Sequence, residues 1–169
     1  MGGPLAAVDT AAVATRVVQL PPVESVRVGR SWPHTVTVEI TERVPVATVP
    51  TSRGPMLIDR AGVVYQGTPP HELPRLTTAP RTGDPATVAA VAVLAALPDT
   101  LRSQVQSAGA TVAAPGAPGQ VTLHMAGGEE VRWGAPERAA EKVTALTALL
   151  TQPGRVYDVT SPDLPTIRR

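Results

Sequence analysis

Proline divides this chain of 169 residues into short segments, because 19 prolines are spread along most of its length. Proline has no backbone N–H and ends most helices and inner strands, so long uninterrupted elements are not expected. The apolar residues between the prolines include no phenylalanine and no cysteine, and aromatic residues make up only 2%. The core must therefore be built from valine, leucine, isoleucine and alanine, and the abundance of valine favours strands.

The amino-terminal segment predicts one helix followed by a two-stranded ribbon. A helix is expected over 10–20, with Asp9 as its N-cap and Pro21 ending it. In the two following segments, around 26–28 and over 35–41, valine or isoleucine alternates with other residues. This period of two is typical of half-buried strands. A helix and two strands alone would form a unit of marginal stability.

Further along the chain, strand patterns come in runs, with helix patterns between them. Strands are expected at 46–49, 56–58, 63–65, 120–126, 129–133 and 155–159, and helices at 86–97 and from Pro136 onward. Gly127 and Gly128 predict a hairpin turn between two of these strands, and Asp84 is expected to be the N-cap of the helix over 86–97. The proline-rich passage 67–85 is expected to be irregular. This order favours an α+β fold with mixed or antiparallel sheets and two packing helices. The strand alternation breaks at Pro45, so a boundary between two structural units is expected near 43–47.

Charge and composition argue against several classes of function. The formal net charge is +1 and the pI is about 8.3, whereas nucleic-acid-binding domains usually carry a basic stripe and a higher pI. No glycine-rich phosphate-binding loop occurs. The longest apolar run, 88–97, is far shorter than the roughly 20 residues that a membrane-spanning helix needs. No signal peptide is recognised at the amino terminus.

No group of residues has the spacing of a catalytic or metal site. The histidines His34, His71 and His124 are far apart and form no His-x-His or i, i+4 pair, so surface or turn positions are expected. Glu129 and Glu130 are neighbours on a predicted strand and point to opposite faces, which excludes a paired-carboxylate site. A hydrolase would need a pocket that joins one histidine to a serine and a carboxylate.

Charges of both signs mark the last predicted helix. Glu137 and Glu141 share one helix face, as do Arg138 and Lys142, because residues four apart on a helix are neighbours. These side chains are expected to form a solvated surface. We therefore predict no catalytic residue, no cofactor and no metal, and we predict that the chain is not an enzyme.

The last predicted strand, 155–159, is followed by Pro162 and Pro165. Proline cannot donate a ladder hydrogen bond, so the sheet is not expected to continue far beyond this strand. An edge strand offers free backbone donors and acceptors to which another chain can add a strand. Two alternatives stay open: an edge strand that captures a partner, or an inner strand that only closes the sheet.

Several sequence strings together are similar to one known family. They are PLAAVD at 4–9, LPPVESV at 20–26, RSWPHTV at 30–36, ERVPVA at 42–47, LIDRAGVVY at 57–65, LPRL at 73–76 and YDVTSP at 157–162, with Lys142 and Leu146 in the last helix. They resemble the extracytoplasmic part of the FtsQ/DivIB cell-division family, of actinobacterial type. The strings cover nearly the whole chain, although 78–118 matches only in pattern.

The resemblance implies a partial POTRA domain over 1–45 and an FtsQ-type β-domain over 46–169. In that family the POTRA domain begins with a strand and a helix that would precede Gly3, and a single membrane helix comes earlier still. Since this chain starts inside the module, its amino-terminal part is expected to expose apolar surface or a sheet edge. We therefore expect that part to be the less stable one.

The resemblance also implies a noncatalytic scaffold of the division complex. Such a protein is anchored in the cell membrane by one helix, lies at the septum, binds partners of the FtsB/DivIC and FtsL types, and influences septal peptidoglycan synthesis. The partner-binding residues that it implies are Val156, Tyr157, Asp158, Val159, Thr160 and Ser161. The proteobacterial branch has a basic residue and a tyrosine where this chain has Thr160 and Ser161. A receptor or chaperone of POTRA type for secreted chains is the alternative.

Overall fold

The structure is a computed structural model that describes residues 8–52, 54–69 and 71–169. The first four residues of the PLAAVD string, 4–7, lie outside the described residues. The chain separates into two compact units, with the division between Val44 and Pro45.

The first unit contains α1 (Thr10–Val18), β1 (Val23–Ser31) and β2 (Thr35–Glu42). Asp9 begins the helix as predicted, since its carboxylate accepts hydrogen bonds from the amides of Ala11 and Ala12 at 3.0 and 2.9 Å. The two strands pair antiparallel.

Very little of the first unit is buried. Among its described residues only Val23 is buried, and α1 has no buried residue. Large apolar side chains that are exposed here belong to Val18, Leu20, Trp32, Val38, Ile40 and Val44. The hydrophobic stabilisation of the described part is correspondingly small, because it scales with the apolar area removed from water.

Among the described residues, the second unit contains every strand of the larger sheet and the main core. Its elements are β3 (Pro45–Thr51), β4 (Gly54–Asp59), β5 (Val64–Tyr65), β6 (Arg75–Leu76), α2 (Pro85–Ala96), α3 (Asp99–Arg102), β7 (Val105–Thr111), β8 (Gln120–Met125), β9 (Glu130–Gly134), α4 (Ala139–Leu149), β10 (Val156–Asp158) and β11 (Thr166–Arg168). Within the described ranges the strands form one nine-stranded mixed sheet, in the order β11-β10-β9-β8-β7-β6-β3-β4-β5. The predicted α+β class is confirmed.

Parallel and antiparallel pairs follow from the connections. β6 and β7 are parallel because α2 and α3 carry the chain back across the sheet, and β9 and β10 are parallel because α4 does the same. β8 and β9 are joined by the predicted hairpin turn, in which Gly128 has a φ of +93° that favours glycine. α2 packs against β3, β7 and β8 and touches α4.

Three strands were not predicted, and each has weak strand signals. β7 contains mostly small or polar residues, and it is held between β6 and β8 rather than by its own propensity. β6 lies in the proline-rich passage that was expected to be irregular, where Leu76 is buried. β11 has three residues and follows two prolines.

Lys142 contradicts the prediction of a fully solvated helix face. Its side chain is only 3% exposed, and its ammonium group donates hydrogen bonds to the carbonyl oxygens of Trp133 and Ala135 at 3.1 and 2.7 Å. Burial lowers the pKa of this lysine. The two carbonyls lie where β9 ends, and Lys142 therefore ties α4 to the end of that strand.

We expect Lys142→Met to destabilise the protein by about 2–3 kcal/mol, because the carbonyls of Trp133 and Ala135 would lose a charged donor without regaining water. Denaturant unfolding monitored by circular dichroism measures the change. Thr144→Ala, at an exposed position of the same helix, serves as the control and should stay within about 0.5 kcal/mol. Equal stability of the two variants would contradict the structural role of the ammonium.

We expect the first unit to open at a lower free energy than the second, since its described residues bury so little apolar surface. Native-state hydrogen exchange should show weaker protection for the amides of β1 and β2 that face the partner strand, such as those of Arg27 and Glu39, than for those of Leu123 and Val131. Similar protection in both units would contradict this expectation.

Candidate partner-binding edge

β10 is an inner strand, not an edge. On one side it pairs parallel with β9, and on the other it pairs antiparallel with β11 through Val156–Arg168, Tyr157–Ile167 and Asp158–Thr166. Of the two alternatives for 155–159, the edge strand is therefore wrong and the inner strand is correct. The two prolines do not end the sheet; they lie in the connection that brings the chain back as β11.

The six residues predicted to bind a partner lie in different environments. Tyr157 and Val159 are buried, with exposed fractions of 3% and 0%, and the Tyr157 hydroxyl donates a hydrogen bond to the Gln152 carbonyl at 2.8 Å. Val156 and Asp158 are half-buried within the sheet, whereas Thr160 and Ser161 are exposed in the following loop. Only the last two present their side chains fully at the surface.

Hydrogen bonds show which way the backbone of β10 faces. The carbonyl of Arg155 accepts a hydrogen bond from the amide of Glu130, and the amide of Val159 donates one to the carbonyl of Arg132, each at 2.9 Å. These backbone groups of Arg155 and Val159 therefore face β9. Backbone groups of successive strand residues point to alternate sides. Those of Val156 and Asp158 therefore face β11.

We use the name docking edge for the outer side of β11, with which no described strand pairs, because it is a candidate for strand addition. The Arg168 carbonyl accepts a hydrogen bond from the Arg155 amide at 2.8 Å, so the backbone of Arg168 faces β10. By alternation, the amide and carbonyl of Ile167 face away from the sheet. The Ile167 side chain is half-buried and packs against the core.

The side chains around the docking edge are basic and polar. Arg155, Thr166, Arg168 and Arg169 are exposed. Short edge strands with charged side chains resist uncontrolled strand pairing, and they still offer backbone hydrogen bonds to a chosen partner. The chemistry available here is therefore recognition by backbone pairing.

The loop between β10 and β11 is attached at its start to the end of β9. Val159 is buried, and the amide of Thr160 donates to the Asp158 carboxylate at 3.0 Å. Thr160 lies very close to Gly134: a Cβ atom added to Gly134 would lie 2.8 Å from the Cγ2 atom of Thr160. Gly134 also has a φ of +75°, and both features favour glycine at this position.

The same loop is attached near its end by the arginine cluster, which consists of Arg138, Glu141 and Asp163. The guanidinium of Arg138 donates to both carboxylate oxygens of Asp163 at 2.7 and 2.8 Å, and on its other side it binds Glu141, with Nε to Oε1 at 3.0 Å. These bonds raise the pKa of Arg138 and lower the pKa values of Asp163 and Glu141. Sequence spacing could reveal the Arg138–Glu141 pair but not Asp163, which lies 25 positions from Arg138.

One open groove brings together residue types that a hydrolase would need. It is lined in part by His71, Glu72 and Ser103. The Ser103 hydroxyl donates to the Thr100 carbonyl at 3.3 Å, and within the described ranges no hydrogen bond joins it to His71. The groove therefore lacks the bond between nucleophile and base that is diagnostic of covalent catalysis.

The described residues offer few other features of a functional site. His34, His71 and His124 are all exposed, as predicted. In the described part of the chain, no three histidine, aspartate or glutamate side chains converge as a metal site would require. None of the described helices is both long and apolar enough to cross a membrane.

Family comparisons cover both units. A family model described as POTRA domain, FtsQ-type, matches residues 1–43, and one described as Cell division protein FtsQ/DivIB, C-terminal, matches residues 47–164.

Three relatives illustrate the similarity, and each is named Cell division protein FtsQ. The one from Mycobacteroides abscessus is 47% identical, over 99% of this chain and 53% of its own length. The one from Mycolicibacterium smegmatis is 46% identical, over 99% of this chain and 49% of its own length. The one from Streptomyces coelicolor is 34% identical, over 94% of this chain and 65% of its own length. The chain thus spans about half the length of the mycobacterial relatives that it matches.

Proposed function

Because the chain belongs to the FtsQ/DivIB family of cell division proteins, we propose that it is a noncatalytic scaffold of the division complex. In this proposal the segment 1–45 belongs to a POTRA domain and the segment 46–169 is an FtsQ-type β-domain, a boundary that differs by one residue from the division between the two compact units. The complete protein is held in the cell membrane by one helix, with this part outside the cytoplasm at the septum. There it binds partners of the FtsB/DivIC and FtsL types and helps to control septal peptidoglycan synthesis.

The partner is captured by strand addition at the docking edge. The single observation that carries this proposal is the outward orientation of the Ile167 amide and carbonyl, on a strand whose outer side no described strand covers. Strand addition draws its affinity from main-chain hydrogen bonds, and side chains at alternate positions provide specificity. Backbone pairing tolerates the side chains of this chain at Thr160 and Ser161, which differ from those of the proteobacterial branch.

The residues predicted from the resemblance keep a role beside the docking edge. Thr160 and Ser161 are exposed in the loop that leads to β11, so their side chains are accessible to a partner at that end of the sheet. Val156 and Asp158 support the docking edge by pairing with β11, and Tyr157 and Val159 hold β10 in the core. A proline at Tyr157 would remove a buried side chain from the core, and it would test folding instead of binding.

Ile167→Pro should weaken binding of the extracytoplasmic segment of an FtsB/DivIC-type protein from the same organism by about tenfold or more. Proline removes the outward amide donor, and its ring obstructs the approach of an added strand. Isothermal titration calorimetry with that purified segment measures the affinity.

Ile167→Ala is the matched control, because it loses the same side-chain packing but keeps the backbone amide. It should bind within about threefold of the unchanged chain, provided that circular dichroism shows both variants folded. If Ile167→Pro binds as tightly as Ile167→Ala, strand addition at this edge is wrong.

A further inference from the structure

We propose that Arg138 is a positioning residue for the docking edge: its paired contact with Asp163 holds β11 in register against β10. This inference rests on the proposed function, because it explains how the docking edge is kept ready for a partner. The arginine cluster itself does not contact the partner strand.

β11 has little else to hold it in place. It pairs with β10 over three residues, and of its side chains only that of Ile167 is part of the core packing. The preceding loop packs weakly near its end, where Leu164 is 78% exposed. A pairing of three residues supplies few ladder hydrogen bonds, so an attachment outside the strand would order this edge further.

The contact between Arg138 and Asp163 has the geometry of such an attachment. The two parallel N–H to oxygen bonds, at 2.7 and 2.8 Å, fix both the distance and the orientation of the carboxylate. Asp163 lies only a few positions before Thr166, the first residue of β11. Fixing Asp163 therefore restricts where β11 can lie.

The other end of the attachment is rigid. Arg138 immediately precedes α4, and its carbonyl accepts a hydrogen bond from the amide of Lys142. The buried ammonium of Lys142 in turn joins that helix turn to the end of β9. The guanidinium is thus carried by a part of the molecule that is continuous with the centre of the sheet.

The backbone of Arg138 adds an independent argument. It has a φ of 57° and a ψ of 34°, and it is the one described residue other than glycine with a positive φ. Glycine or asparagine would fit this left-handed conformation at lower cost. The conformational cost of an arginine here is offset if its guanidinium has a role, and the structure gives that guanidinium two carboxylates to bind.

Hydrogen exchange of the folded chain tests the proposal directly. In Arg138→Gly, the amides of Thr166 and Arg168, which face β10, should exchange about three- to tenfold faster, because β11 would detach more often once this surface ion pair with two parallel hydrogen bonds is lost. The amide of Val131 in β9 should be unaffected. Glycine relieves the left-handed backbone, so global stability should not fall.

Two further variants test separately the contributions of the two carboxylates that bind Arg138. Asp163→Asn should reproduce the faster exchange of Thr166 and Arg168, because it removes the charged partner of Arg138. Glu141→Gln is the matched control, which alters the other side of the same guanidinium, and it should change that exchange by less than about twofold. The proposal fails if Arg138→Gly leaves the exchange of β11 unchanged, or if Glu141→Gln has the larger effect.

A binding measurement with the same FtsB/DivIC-type segment distinguishes this proposal from the proposed function. If both are correct, Arg138→Gly lowers the affinity in parallel with the loss of protection of β11. If β11 exchanges faster while the affinity is unchanged, the positioning role stands and docking at this edge is wrong. If the exchange is unchanged, the positioning role is wrong whatever the affinity.

Discussion

The buried ammonium group of Lys142 connects the last helix to the sheet, and the arrangement of the carboxy-terminal strands depends on it. It donates to two carbonyls where β9 ends, and so fixes the beginning of α4 at that point. From there the helix carries the chain back so that β10 can pair parallel with β9. An apolar residue at this position would leave two carbonyls without a charged donor, which is why a buried charge is tolerated here.

Local chemistry determined the elements that could be predicted from the sequence. The caps at Asp9 and Asp84 satisfy free helix amides with a side chain only two or three residues away, and the turn at Gly128 depends on one residue with a positive φ. The features that could not be predicted depend on distant partners. β7 is a strand because β6 and β8 flank it, and Lys142 is buried because β9 ends beside it.

The candidate site shows the same division between local and distant effects. A strand over Val156–Asp158 was predicted from its own residues, but its position in the sheet was not. Whether a strand is an edge depends on whether a later segment of the chain returns to pair with it, and Thr166–Arg168 has too little hydrophobic pattern to be recognised as a strand. The resemblance pointed to Val156–Ser161, whereas in the structure the backbone groups that no described strand pairs with lie on the next strand, β11.

A docking edge must be ordered to bind and short to stay soluble, and these two requirements conflict. An ordered strand loses less conformational entropy when a partner adds to it, whereas a long apolar edge would pair with copies of itself. β11 fits the second requirement with three residues and exposed arginines, but three residues supply few ladder bonds of their own. Side chains outside the strand can add order, and we propose that Arg138 does so by binding Asp163 in the loop that leads into β11.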